Sequence, residues 1–205
     1  MSTVTPAMFT YALGDDAVLV PRTAALAEAH HTLLMANYER LAHWDPDYDT
    51  ERRPTLEETR ARLERQGGAW VEGRQLPLDI AVPAGQDWQL VGAVTLNCDM
   101  QMRVGELGYW IDPAFEGRGL VTRAATAVLD QAFKHLDLDR VELRTGTDNT
   151  RSRSVAHHLG FTEEGLLREA VIFPNGSRDD DVVYGLLARE WLATREQGGP
   201  HHRRK

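Results

Sequence analysis

Apolar positions recur along this chain with two periods, and the change between them marks its most informative stretch. Leu107, Tyr109 and Ile111 alternate with Glu106, Gly108 and Trp110, the period of a half-buried strand. Asp112-Pro113 ends that strand. Apolar residues then stand at 120, 121, 124, 125, 128, 129, 132, 133 and 136. They form two rows at four-residue spacing, the stripe of a long amphipathic helix over 119–136. Glu116-Gly117-Arg118-Gly119 joins strand to stripe.

The same reading predicts strands around 9–13 and 17–20, with residues 1–8 loose before them. A helix follows from a cap at Thr23 to about Tyr38, then an acidic, aromatic loop over 42–54. Thr55 and Glu58 have capping-box spacing and open a second helix, which Gly67-Gly68 should stop near Gln66. Strands are expected at 69–73, 76–82 and 88–97, and Gln101–Ile111 pairs back antiparallel. After the long helix come a strand at 141–145 and a helix over 149–159 closed by a left-handed Gly160. Strands at 166–173 and 181–187 flank a turn at Pro174-Asn-Gly-Ser177, and a helix closes the chain over 188–195. Strand, helix and strand in succession predict a right-handed parallel crossover. No repeat or linker interrupts the pattern. The fold class is therefore α+β, one domain over 1–195 with a disordered tail at 196–205.

Composition narrows the function. No run of eighteen apolar residues spans a membrane, and the start lacks a signal-peptide pattern. A lone Cys98 fits a reducing cytosol, so a cytoplasmic location is expected. Net charge is −8; without residues 195–205 the body holds 19 basic and 30 acidic residues, or −11. Such a body argues against direct nucleic-acid binding and would draw a cationic substrate. No metal site is expected. His30 and His31, adjacent on a helix, point apart. Asp45, Asp47 and Asp49 lack the glycine and glutamate of a calcium loop, because Thr50 and Leu56 stand at those positions.

The Gly117-Arg118-Gly119 entry is a candidate anion seat. The first N–H groups of a helix have no internal partner and sit at the positive end of its dipole. Glycines remove the Cβ atoms that would hold a phosphate away. No Gly-Lys-Ser/Thr follows, which excludes a Walker loop. Thr122 stands where the dinucleotide fingerprint needs its third glycine.

A second cluster, Asn149, Ser152, Leu159-Gly160-Phe161 and Glu164-Gly165, makes the pattern specific. Together with Glu116-Gly-Arg-Gly-Leu-Val121, it resembles the GNAT superfamily of N-acetyltransferases, in the RimJ/RimL branch that modifies ribosomal-protein N-termini. Gly108–Pro113, Asn175-Gly176, Tyr184 and Trp191 share the likeness, which runs over about 90–191. The resemblance implies a mixed, mostly antiparallel sheet of about seven strands, helices on both faces and a splayed parallel pair. It also implies acetyl-coenzyme A as cosubstrate, with no metal. The diphosphate would rest on the N–H groups of Gly117, Arg118, Gly119, Leu120, Val121 and Thr122. Main-chain groups near Trp110, Ile111 and Asp112 would hold the thioester carbonyl, and Asn149 would hold the pantetheine amides. Two departures from the family pattern stand out. Glu116 puts a carboxylate where glutamine or arginine is usual, and Val121 replaces a small residue.

The chemistry needs a neutral amine, N–H donors for an oxyanion and a proton for the departing thiolate. Many members place a tyrosine seven residues after the asparagine; here that position is Ala156. Ser152 is the catalytic candidate in its place, with Ser154 as the alternative. Glu106 is the candidate base, with Glu169 or a water chain as alternatives. The expected reaction is acetyl transfer to a primary amine by direct attack in a ternary complex. The amine would be a protein N-terminal α-amine, such as that of a ribosomal protein, or a cationic small molecule. Another acyl group, or a non-catalytic coenzyme A-binding domain, are the competing readings. A homodimer is expected by family analogy alone.

Overall fold

The computed structural model describes residues 10–197, with side chains as far as Arg195. The expectations for residues 1–8 and most of the tail fall outside that range. The chain runs β1 (Tyr11–Ala12), β2 (Val18–Pro21), α1 (Ala27–Ala42), α2 (Leu56–Val71), β3 (Gln75–Ala84), β4 (Asp87–Asp99) and β5 (Val104–Ile111). It continues through α3 (Leu120–Lys134), β6 (Arg140–Gly146), α4 (Thr150–His158), β7 (Thr162–Ile172), β8 (Arg178–Leu187) and α5 (Ala188–Gln197). One sheet of eight strands has the order β1-β2-β3-β4-β5-β6-β8-β7. Every neighbouring pair is antiparallel except β5 and β6. The fold is α+β as expected; the two-residue β1 is the strand beyond seven.

Alternation along the strands divides the core. Leu107, Tyr109 and Ile111 pack with Leu120, Ala124, Val128 and Leu129 of α3 on one face. On the other face, Val18, Val20, Ala81 and Leu90 pack with Leu33 of α1, and Trp110 lies against them. Helices thus cover both faces, and β2, β3, β4 and β5 each send side chains to both. No helix among the described residues is long and apolar enough to cross a membrane.

Several boundaries differ from the pattern's reading. Gly67-Gly68 does not stop α2, and no strand forms at 69–73. The helix runs to Val71 and ends at Gly73, whose φ is +72°. Gly73 N–H bonds to Trp70 O at 2.9 Å and Arg74 N–H to Ala69 O at 2.8 Å. A helical glycine costs only about 1 kcal/mol, whereas termination needs a residue in the left-handed region. The opening capping box of Thr55 and Glu58 is present in both directions. Thr23 precedes a 3-10 turn at Ala24–Leu26 and makes no side-chain cap, and α1 then runs four residues past Tyr38. β5 begins at Val104 because Asp99 Oδ1 takes the N–H groups of Gln101 and Met102 at 3.0 and 2.9 Å, holding them in a turn. Helix α5 takes in two residues assigned to the tail.

Beneath α1 lies a charged cluster that periodicity does not reveal. Asp79 of β3 is wholly buried, with Arg22 at 4% and His30 at 6% exposure. Arg22 Nε donates to Asp79 Oδ1 at 2.9 Å, and His30 Nδ1 lies 3.1 and 3.2 Å from the two carboxylate oxygens. His31 turns elsewhere, to Thr59 Oγ1 at 2.8 Å.

Gly92 fixes how closely β4 meets the end of β5. A Cβ there would sit 2.5 Å from Trp110 O and 3.0 Å from Ile111 Cα. Gly92→Ala is therefore expected to cost about 1–3 kcal/mol through overpacking. Thermal melting checks this; an unchanged midpoint would show that β4 can give way.

Candidate active site

The parallel pairing of β5 with β6 joins only Val104–Arg140, Gly105–Val141 and Glu106–Glu142. Beyond Glu106, β5 follows β4 as far as the Gly92–Ile111 pair, while β6 follows β8 to the Gly146–Asp181 pair. The two strands diverge and leave a wedge, as the resemblance implied. Asp112 N–H donates to Val91 O at 2.8 Å, so that residue faces β4. Main-chain direction alternates along a strand, so Trp110 also turns its N–H and C=O to β4. The groups that face the wedge belong to Leu107, Tyr109 and Ile111. Ile111 O is already taken by Arg40 Nη2. Its N–H and that of Tyr109 are the main-chain donors that face the wedge, while the Trp110 side chain packs on the α1 side of the sheet.

At the mouth of the wedge stands the glycine loop. Gly117 and Gly119 have φ of +73° and +69°, and a Cβ at either would meet nothing within 4 Å. They serve the backbone turn and leave open space before it. Among the described residues, the N–H groups of 117–122 find no acceptor; the first to do so is Arg123, to Gly119 O at 3.0 Å. Residues 117–119 are exposed, and Leu120 anchors the helix start in the core. A groove of about 450 Å³ runs on past Gly119, Thr122, Arg123, Ser154, Val155 and His158. Unpaired amides at an open helix start fit a diphosphate. Val121 does not disturb that start, which falls at Leu120 after a left-handed Gly119.

The arginine in the loop does not face this seat. Arg118 Nη2 donates to Ala114 O at 3.1 Å, and the guanidinium lies 4.8 Å from the Phe115 ring centre. Its backbone N–H finds no acceptor among the described residues. Glu116 lies 2.8 Å from Arg151 and 3.6 Å from Arg40, so two cations offset its charge.

Helix α4 closes the other side. Asn149 is its N-cap, with Oδ1 accepting Ser152 N–H at 3.1 Å, which leaves the amide NH₂ for a pantetheine carbonyl. Ser152 is thus not the capping residue. Its Oγ lies 3.2 Å from the Tyr109 hydroxyl, which also donates to Ser152 O at 3.2 Å. Ala156 is fully buried in the core. A phenol does stand beside Ser152, but it comes from β5, at Tyr109. Burial pushes the Tyr109 hydroxyl up to about 12, against the lowering effect of the Ser152 hydrogen bond and with a smaller push from Tyr184. The strand pattern already gave the signal for Tyr109, since it falls in phase with Leu107 and Ile111 on the face that α3 covers. Sequence reasoning gave it no role.

Glu106 stands on the opposite face of β5, exposed, in line with Gly108 and Trp110. It is the last residue paired before the strands part. Glu169 lies farther along the β7–β8 hairpin with φ +52°, its N–H bound to Asp180 Oδ1 at 2.8 Å. Ser154 faces the outer groove instead of Tyr109.

Comparison with known proteins agrees with this geometry. Residues 18–162 match the family described as Acetyltransferase (GNAT) domain. The putative ribosomal N-acetyltransferase YdaF of Bacillus subtilis (strain 168) is 32% identical over 191 residues, covering 90% of this chain and 98% of that protein. The ribosomal-protein-serine acetyltransferase of Escherichia coli (strain K12) is 31% identical over 100 residues, 48% of this chain and 55% of that one. A crystal structure of a probable acetyltransferase superposes with a TM-score of 0.80 at 28% identity, covering 90% of this chain and all of that one. The fold is also that of RimL, the ribosomal L7/L12 α-N-protein acetyltransferase, solved with coenzyme A; its TM-score is 0.79 at 22% identity, over 89% of this chain and 99% of that one. The chain belongs to the GNAT acetyltransferase family. It is an acetyl-coenzyme A-dependent N-acetyltransferase, and its acceptor is an amine.

Proposed function

We propose that this enzyme acetylates the N-terminal α-amine of a protein, of the ribosomal kind, by direct attack within a ternary complex. The wedge carries the reading, because its two sides are chemically different. Tyr109 and Ser152 lie on the side of α3 and α4; Glu106, Gly108 and Trp110 lie on the side of α1. A thioester threaded between the strands meets hydroxyls at its sulfur and an open strand face at its carbonyl. The acceptor then arrives over Gly108, where nothing within 4 Å fills the place of a side chain. Its nitrogen forms the new C–N bond, the C–S bond breaks, and the nitrogen loses a proton toward Glu106 or solvent. The departing thiolate gains a proton where Ser152 and Tyr109 donate. An α-amine titrates near 8 and a lysine amine near 10.4, so the former needs little help from a base as exposed as Glu106. The relative that matches nearly the whole chain carries a ribosomal name, which supports the same acceptor.

The test is acetyl transfer to an equimolar panel of N-terminal peptides, Nα-blocked lysine peptides and spermidine, followed by thiol release and mass spectrometry. N-terminal acetylation at least about tenfold faster than the other arms is expected. Turnover of spermidine alone would replace this reading with a small-molecule one.

A further inference from the structure

Resting on the reading that coenzyme A binds at the glycine loop, we propose that Arg151, supported by Arg40, is a diphosphate-binding residue. In this reading Glu116 is the anion that occupies it until the cosubstrate arrives. Glu116 follows β5 and Arg151 opens α4 after β6, so their 2.8 Å bridge crosses the mouth of the wedge. The pantetheine arm has to enter past it. Arg151 is 79% exposed and Glu116 22% exposed at the side chain. A pair with one member so exposed contributes little and exchanges partners readily.

The other arginines around the loop are committed elsewhere. Arg123 is held by Asp16 at 2.6 Å and by Leu13 O at 2.6 Å. Arg153 donates to Thr147 O at 3.0 Å, Tyr184 Oη at 3.0 Å and Glu163 at 3.2 Å. Arg118 lies on Phe115. That leaves Arg151, which shares the loop's own carboxylate with Arg40, itself partly held by Ile111 O and by Asn37 Oδ1 at 3.3 Å.

Arg40 adds an independent sign of an unfilled place. Its Nε is buried and finds no acceptor among the described residues. Its guanidinium is held low by burial, with Glu116 and Asp112 acting against this and Arg151 with it. A diphosphate brought to the loop adds anionic oxygens beside the Arg40–Glu116–Arg151 group. It accepts from the N–H groups of 117–122 and draws Arg151 away from Glu116 into charge-assisted hydrogen bonds. The carboxylate at 116 therefore need not weaken cofactor binding, because it stores the cation that the diphosphate uses.

Calorimetric titration of the intact protein with coenzyme A tests this in two backgrounds. Arg151→Ala is expected to weaken binding about tenfold both in the native chain and in Glu116→Gln, and Arg151→Lys to restore part of the loss. Titration with pantetheine, which has no diphosphate, is expected to be unchanged by Arg151→Ala. If the loss appears only while Glu116 is present, Arg151 merely masks that carboxylate and the proposal fails. It fails equally if neither background shows a loss. Absence of coenzyme A binding by the native protein would instead refute the cosubstrate reading itself.

Discussion

Asp79→Ala is expected to cost about 3–5 kcal/mol of stability, because it strands Arg22 and His30 beside a wholly buried position without their carboxylate. For a chain of 205 residues this corresponds to a fall of about 10 °C in the melting midpoint. Burial alone would raise the Asp79 carboxyl; the charges of His30 and Arg22 and their hydrogen bonds override it, so the group sits below the usual carboxylate range. The sign of the pH dependence follows. A depressed carboxyl contributes its stability in full above the unfolded value of about 3.9 and loses it as pH falls toward the folded value. The carboxyl's share of the mutant's deficit should therefore be fully present at pH 5 and shrink as pH falls below about 4. Replacing the trio together, with Asp79→Leu, His30→Leu and Arg22→Met, is expected to recover most of the loss, since the penalty lies in the unpaired charges. A midpoint change under 2 °C for Asp79→Ala would show that water reaches this cluster.

The contrast between that cluster and the glycine loop shows what the sequence could reveal. The loop was legible because its chemistry is local. Gly117, Gly119 and the four-residue apolar spacing that follows lie within one stretch, and the backbone does the work. Asn149 and Ser152 were marked by the family resemblance, and the structure shows their spacing to be that of a helix cap. The Arg22–Asp79 pair spans 57 residues of chain and the His30–Asp79 pair 49. No periodicity signals such a contact before the strands are placed. Tyr109 failed for a subtler reason. Its alternation put it on the correct face of β5, but its meeting with Ser152 depends on β6 carrying α4 across the wedge. Gly67-Gly68 misled because composition marks a weak helix, while the stop depends on backbone angle, which only Gly73 supplies. The charge of Glu116 looked adverse in the sequence because Arg40 and Arg151 come from distant elements.

The Tyr109–Ser152 pair is where the largest loss of turnover is expected. A thiolate leaving the tetrahedral intermediate needs a donor at the sulfur, and both hydroxyls stand at the α4 side of the wedge, 3.2 Å apart. Tyr109→Phe removes the phenol without changing the packing of the ring. It is expected to lower kcat about 10²–10³-fold and leave coenzyme A affinity within about twofold. Ser152→Ala should cost less, about 10–10²-fold, because Tyr109 remains. The two hydroxyls share one task, so the double variant should fall well short of the product of the single losses. Burial holds the Tyr109 proton up to about 12. The group thus stays protonated over the whole working range, and its contribution is lost only as pH approaches that value. The kcat–pH profile should rise with deprotonation of the amine and then stay level to about pH 10. A descending limb below pH 10 that vanishes in Tyr109→Phe would contradict the buried phenol. An unchanged kcat in that variant would remove Tyr109 from the chemistry and return the role to Ser152 alone.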